Sequence, residues 1–155
     1  MKEIGGYFEL DRYKGTIFHE EAVALNCGRN CLAYLIETKR IKKLYLPYFC
    51  CDSVAQPCRK YGVKIERYHI DKDFRPVFDK ILKTDEWLYI INFYGQISND
   101  EIEEWQRKSG RIIFDNAQAY FQKSMDDVDT LYTCRKFFGV ADGAFLYTQD
   151  KINVL

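Results

Sequence analysis

The stretch WLYIINFYGQISNDEIEEWQRKSGRIIFD, residues 87–115, decides the fold class. Its opening run, 87–93, is apolar with a β-branched and aromatic bias, the composition of a strand. The period then changes. Over 99–108, Ile102 and Trp105 stand one helical turn apart among charged residues, which predicts an amphipathic helix. Ser98, followed three residues later by Glu101, reads as a capping box at the start of that helix. Gly110 stands just past its end, where a left-handed residue is often wanted. A second apolar run, 111–115, completes a strand–helix–strand unit.

The same alternation extends in both directions. Further strands are predicted at 22–26, 43–47, 64–70, 130–133 and 144–148, seven in all. A helix over 30–39 places Cys31, Leu32, Leu35 and Ile36 on one face, and Pro57 predicts that a helix within 52–61 is short or kinked. Parallel strands need crossover connections, which cover both faces of the sheet. The fold class is therefore α/β, a three-layer α/β/α sandwich around a seven-stranded, mostly parallel sheet. The link 137–143 is too short for a helical crossover, so the last two strands are expected to be antiparallel or separated by other strands. With 155 residues and no repeat, linker or low-complexity tract, a single domain is expected over 1–155.

Composition narrows the partners. The 23 basic residues balance the 23 acidic ones, so no overall field draws the chain to nucleic acid or an anionic membrane. Segment 1–11 is charged and lacks an apolar core of signal-peptide length, and no run is long enough to span a bilayer; a cytoplasmic location is expected. Six cysteines are then expected to be free thiols, most of them acting as small buried hydrophobes. Their spacing does not pair as in a zinc site, and His19 and His69 stand apart, so no metal is expected. The 12 Tyr, 11 Phe and 2 Trp are spread along the chain, which suits a core and an interface.

In such sheets ligands collect outside the carboxyl ends of the strands, here 26–30, 47–51, 93–96, 115–118 and 133–136. In the first of these, Gly28 permits close approach to a helix start and Arg29 offers a bidentate cation, a combination that suits phosphate. A glycine turn at that place also serves geometry alone in many α/β proteins. Asp115 ends an apolar strand, where its carboxylate can keep a pyridine nitrogen protonated or cap the following turn. Gln118 can meet a cofactor oxygen or the local backbone. Lys136 lies in YTCRKFFGVADGA (132–144), with Thr133 as a hydroxyl for phosphate, Arg135 as a second cation, and Gly139 and Gly143 flanking the turn behind it. A lysine able to form a Schiff base, preceded by an aspartate at a neighbouring strand end, points to pyridoxal 5'-phosphate.

With those residues the chain resembles the large domain of fold type I pyridoxal phosphate-dependent transferases, and among them the DegT/StrS-type sugar aminotransferases, from Gly5 to about Thr148. The Tyr-Gly-Gln strand end of that family is matched by Tyr94, Gly95 and Gln96. Its Asp-x-Ala-Gln-Ala motif is matched by Asp115, Ala117, Gln118 and Ala119. Its lysine with a following Asp-Gly-Ala turn is matched by Lys136 with Asp142, Gly143 and Ala144, and its phosphate loop by Cys27, Gly28 and Arg29. The resemblance implies an aminotransferase with the cofactor as a Schiff base on Lys136 and the ring nitrogen on Asp115. Gln118 would then meet the ring oxygen, and an amino donor and a keto sugar would be the substrates. It also implies a homodimer. Arg29 replaces the usual threonine, and Leu131 replaces a phosphate-binding serine, moving that role to Thr133. Cys51 replaces a stacking aromatic, leaving Phe49 or Tyr48 to substitute. The small C-terminal domain of such enzymes has no counterpart before Leu155, so the expectation is a truncated aminotransferase or a non-catalytic remnant or assembly module of that fold.

Overall fold

The structure, a computed structural model, describes residues 15–150. The charged segment 1–11 and the beginning of the resemblance at Gly5 lie outside the described residues. In chain order the elements are β1 (Val23–Leu25), α1 (Gly28–Thr38), β2 (Lys43–Pro47), α2 (Asp52–Lys60), β3 (Lys64–Ile70) and β4 (Pro76–Val77). They continue with β5 (Glu86–Ile91), α3 (Asn99–Ser109), β6 (Ile112–Asp115), β7 (Asp129–Thr133) and β8 (Ala144–Tyr147). All seven expected strands form, and an eighth, β4, extends the sheet. It has two residues and carries a proline, which a sheet accepts at its edge, so its apolar signal was too short to read.

The strands lie in the order β1-β8-β7-β6-β5-β2-β3-β4. The central run β3-β2-β5-β6-β7 is parallel, while β8 is antiparallel to both β7 and β1, and β4 to β3. The short link after β7 therefore does what its length dictates.

Alternation along the central strands feeds two cores. Leu44 and Leu46 of β2, Tyr89 and Ile91 of β5 and Ile113 of β6 pack with Leu32, Leu35 and Ile36 of α1 and Ala55 and Cys58 of α2. Tyr45, Leu88, Ile90, Ile112 and Phe114 point the other way, onto Ile102 of α3 and onto Phe78 and Leu82 of the segment before β5. That gives the three layers. The capping box of α3 is present as read, with the Ser98 hydroxyl accepting from the Glu101 N–H and the Glu101 carboxylate from the Ser98 N–H; Gly110 follows in the left-handed region (φ 67°). Pro57 lies inside α2, which is nine residues long and unbroken.

The cysteine expectation needs correction. All six are free, but only Cys31 and Cys58 are buried; Cys27, Cys50 and Cys134 are partly exposed and Cys51 is exposed. The reason is position: Cys27 and Cys51 immediately precede α1 and α2, at helix starts that open on solvent. His19 anchors the segment before β1, buried with its Nε2 against the Tyr120 carbonyl at 2.9 Å and its ring 4.0 Å from that of Tyr132. Burial pushes the pKa of His19 down. Among the described residues no helix is long and apolar enough to cross a membrane.

Candidate active site

The carboxyl ends of β2, β5, β6 and β7 meet the N-termini of α1 and α2 around a cleft of about 660 Å³. Gly28, Arg29, Asp115, Gln118, Thr133 and Lys136 all line it. The topology explains the convergence, because parallel strands in adjacent positions end at the same edge of the sheet.

Asp115 forms the floor. It is the last residue of β6 and is 7% exposed. The Ala117 N–H donates to its Oδ1 and the Tyr89 hydroxyl to its Oδ2, each at 2.8 Å. Burial raises its pKa above the usual carboxylate range, opposed by those two hydrogen bonds and by the charge of Lys136. The lysine ammonium is thus close enough to act on the carboxylate through space, while its own side chain is exposed.

The α1 side is built for close approach. A Cβ on Gly28 would meet Thr133 Cγ2 at 3.1 Å, so the glycine lets the helix start lie against the end of β7. Cys27 gives that helix no side-chain cap, and Arg29 is exposed in its first turn. Gly28 and Arg29, the first two residues of α1, line the cleft, and a helix start with a guanidinium beside it favours an anion. Leu131, two residues before Thr133 on the same strand face, is buried and apolar, which leaves Thr133 as the hydroxyl of β7 in the cleft wall.

The loop carrying Lys136 is fastened at its far end. Gly143 donates its N–H to Asn26 at 2.7 Å and accepts the Cys134 N–H at 2.9 Å, and its φ of 121° excludes other residues. A Cβ there would lie 2.9 Å from Cys134 Sγ. Gly139, expected to share this role, has open space where its Cβ would be.

Gln118 takes a place the sequence left open. Its Oε1 accepts the Tyr94 N–H at 3.1 Å. Tyr94 (φ 56°) and Gly95 (φ 70°) are consecutive left-handed residues, so Gln118 braces a strained turn at the cleft rim. Behind it Asn92 donates to Asn116 Oδ1 (3.0 Å) and Gln122 Oε1 (2.7 Å), tying the loops after β5 and β6 together. Of the two candidate stacking aromatics, Phe49 lies 5.3 Å from Phe93, and Tyr48 packs 4.6 Å from His69; both line the cleft.

One lining residue, Tyr89, was missed in the sequence. Tyr89 reads as a core residue until the strand register is known. Cys50 and Cys51 differ in environment: burial pushes the pKa of the Cys50 thiol up to about 11, whereas the Ser53 hydroxyl and N–H hold that of Cys51 below its ordinary value. Among the described residues no cluster of histidine, cysteine and acidic groups could hold a metal ion.

No protein-family model matches the sequence, and no curated protein matches it. Solved structures do match the fold. DesV from S. venezuelae aligns with a TM-score of 0.68 at 18% identity, over 83% of this chain and 40% of that one. The sugar aminotransferase CalS13 from Micromonospora echinospora aligns at 0.61 and 14% identity, over 85% and 42%. NtdA from Bacillus subtilis with bound cofactor PMP aligns at 0.68 and 14% identity, over 84% and 33%. The chain thus spans less than half the length of these neighbours, and it shares with them the α/β fold of fold type I aminotransferases.

Proposed function

We propose that this chain binds pyridoxal phosphate and serves the transfer of an amino group from an amino donor to a keto sugar. The observation that carries this reading is the meeting, in one cleft, of a buried carboxylate, a lysine and a helix start without a side-chain cap. The residues fit the group by their chemistry. Asp115 offers a desolvated carboxylate to a ring nitrogen; Thr133, Arg29 and the α1 N-terminus offer a hydroxyl, a guanidinium and N–H groups to a phosphate; and Lys136 offers the amine that would carry the aldehyde. When bound, the cofactor supplies an electron sink for a carbanion at the donor's Cα.

The chain's own part is positioning and proton transfer. Asp115, held by Ala117 and Tyr89, would pair with the ring nitrogen. Arg29 and Thr133 would hold the phosphate, and Phe49 is the aromatic that would cover a ring face. Lys136 Nζ, once free, is the base that moves the proton. Gln118 Nε2 remains to donate toward the ring oxygen while Oε1 holds Tyr94.

Adding pyridoxal phosphate to the purified chain is expected to give a visible absorbance band, and borohydride followed by peptide mass spectrometry to leave a pyridoxyl group on Lys136. A band of unchanged strength in Lys136→Ala, or none in the wild type, overturns the reading.

A second copy of the chain belongs to the same proposal. Phe137 and Phe138 directly follow Lys136 and, with Phe18 and Phe121, make a connected, exposed aromatic surface beside the cleft. The same surface favours the alternative reading, an assembly module that keeps the fold without the reaction. Transamination of any keto sugar by the purified chain would remove that alternative.

A further inference from the structure

We infer that Tyr89 is a positioning residue for Asp115: its phenol holds the carboxylate in one plane. The inference rests on the proposed cofactor reading only for what the carboxylate would meet in the cleft.

The geometry comes from the register of two parallel strands. Ile91 of β5 is paired with Asp115 of β6, and Tyr89 with Ile113. Side chains two apart share a face, so Tyr89 stands on the same face as Asp115, one pair earlier. A phenol is long enough to cover that step along the strand, and the Tyr89 hydroxyl reaches Oδ2 at 2.8 Å. Tyr89 is itself fixed. It is 2% exposed, and the Tyr68 hydroxyl donates to its carbonyl at 2.7 Å.

Asp115 thus receives one donor on each oxygen, the Ala117 N–H on Oδ1 and the Tyr89 O–H on Oδ2. Two donors on different oxygens remove rotation about the carboxylate axis. Each oxygen keeps a second lone-pair direction for a group in the cleft. Donors to a carboxylate favour its charged form, which opposes the burial that favours the acid. Burial also keeps the Tyr89 phenol protonated, so it remains a donor at physiological pH. The other charged group that acts on Asp115 is Lys136, which works in the same direction as the phenol. The neighbouring thiols Cys31 and Cys50 are both pushed toward the neutral form by burial.

The test is the titration of the Asp115 carboxyl carbon by NMR in cofactor-free protein labelled at aspartate, with Asp115→Asn assigning the signal. In Tyr89→Phe the midpoint is expected to move up. In Tyr68→Phe, which loosens the backbone at Tyr89 without removing its phenol, the midpoint is expected to move less. Replacing Tyr89 by 3-fluorotyrosine keeps the shape and strengthens the donor, so the midpoint should move down even where the phenylalanine variant folds poorly. An unmoved midpoint in both Tyr89 variants overturns the inference, as does an equal shift in Tyr68→Phe. Protein that shows these shifts and yet fails to load pyridoxal phosphate sustains the Tyr89 assignment and sinks the cofactor reading. In loaded protein, the chemical shift of a nitrogen-15 label in the pyridine ring is expected to differ between wild type and Tyr89→Phe.

Discussion

Asp115 is costly to the empty protein. Its raised pKa means that the folded state binds this proton more tightly than the unfolded chain does, so the stability linked to this group is complete below the unfolded carboxyl value of about 4 and declines as pH rises through the folded value. Asp115→Asn is therefore expected to raise the melting temperature of cofactor-free protein at neutral pH, with the advantage shrinking as the pH falls toward about 4. The same variant should bind pyridoxal phosphate less tightly. A calorimetric series against pH checks the first expectation, and a titration of the absorbance band checks the second. Asp115, Gly28 and Thr133 were legible as cleft-lining residues because each ends a strand or opens a helix, and strand ends converge; Lys136 lines the cleft from the turn that follows β7. Tyr89 was not legible. Nothing along its own strand distinguishes it from a core tyrosine, and only the pairing of Ile91 with Asp115 brings its hydroxyl to a carboxylate. Gln118 was legible as a cleft-lining residue, but its bond to the Tyr94 N–H depends on a left-handed turn that the Tyr-Gly dipeptide only hints at.

At the scale of elements, period and punctuation carried most of the information. β5 and β6 showed because buried parallel strands are largely continuous apolar runs, and α3 showed because its cap and its C-terminal glycine are both local signals. The edge strand β4 was illegible for the converse reason, since two residues leave no period to detect. The cap of α3 gives a direct measure. Ser98→Ala removes the bond to the Glu101 N–H and should cost about 1 kcal/mol, lowering the melting temperature by about 2–4 °C. Ser98→Asp, which can accept the same bond, should restore most of the loss. Thermal denaturation of the two variants decides the matter; equal losses would mean that the cap bond is not what holds the helix start.

For the molecule as a whole, the exposed aromatic surface is the feature that composition foretold without locating. Phe121 is 60% exposed and touches Phe18, Phe137 and Phe138, themselves exposed. A connected apolar area of this kind on one side of a cleft favours association with a second copy. Sedimentation velocity at micromolar concentrations is expected to show a dimer for the wild type and a monomer for the Phe121→Ser, Phe138→Ser double variant. A wild type that stays monomeric would remove the homodimer from the proposal. The pairing of β1 with β8 has a further consequence, in time rather than in space. Val23 is hydrogen-bonded in the sheet beside Leu146, and Asn26 receives the Gly143 N–H that fastens the lysine loop, so two ends of the described chain must meet before Lys136 is placed. Contacts so distant in sequence are late and slow to close. On the ribosome the parallel strands and their helices can assemble as they emerge, but the cleft cannot be completed until β8 has left the exit tunnel.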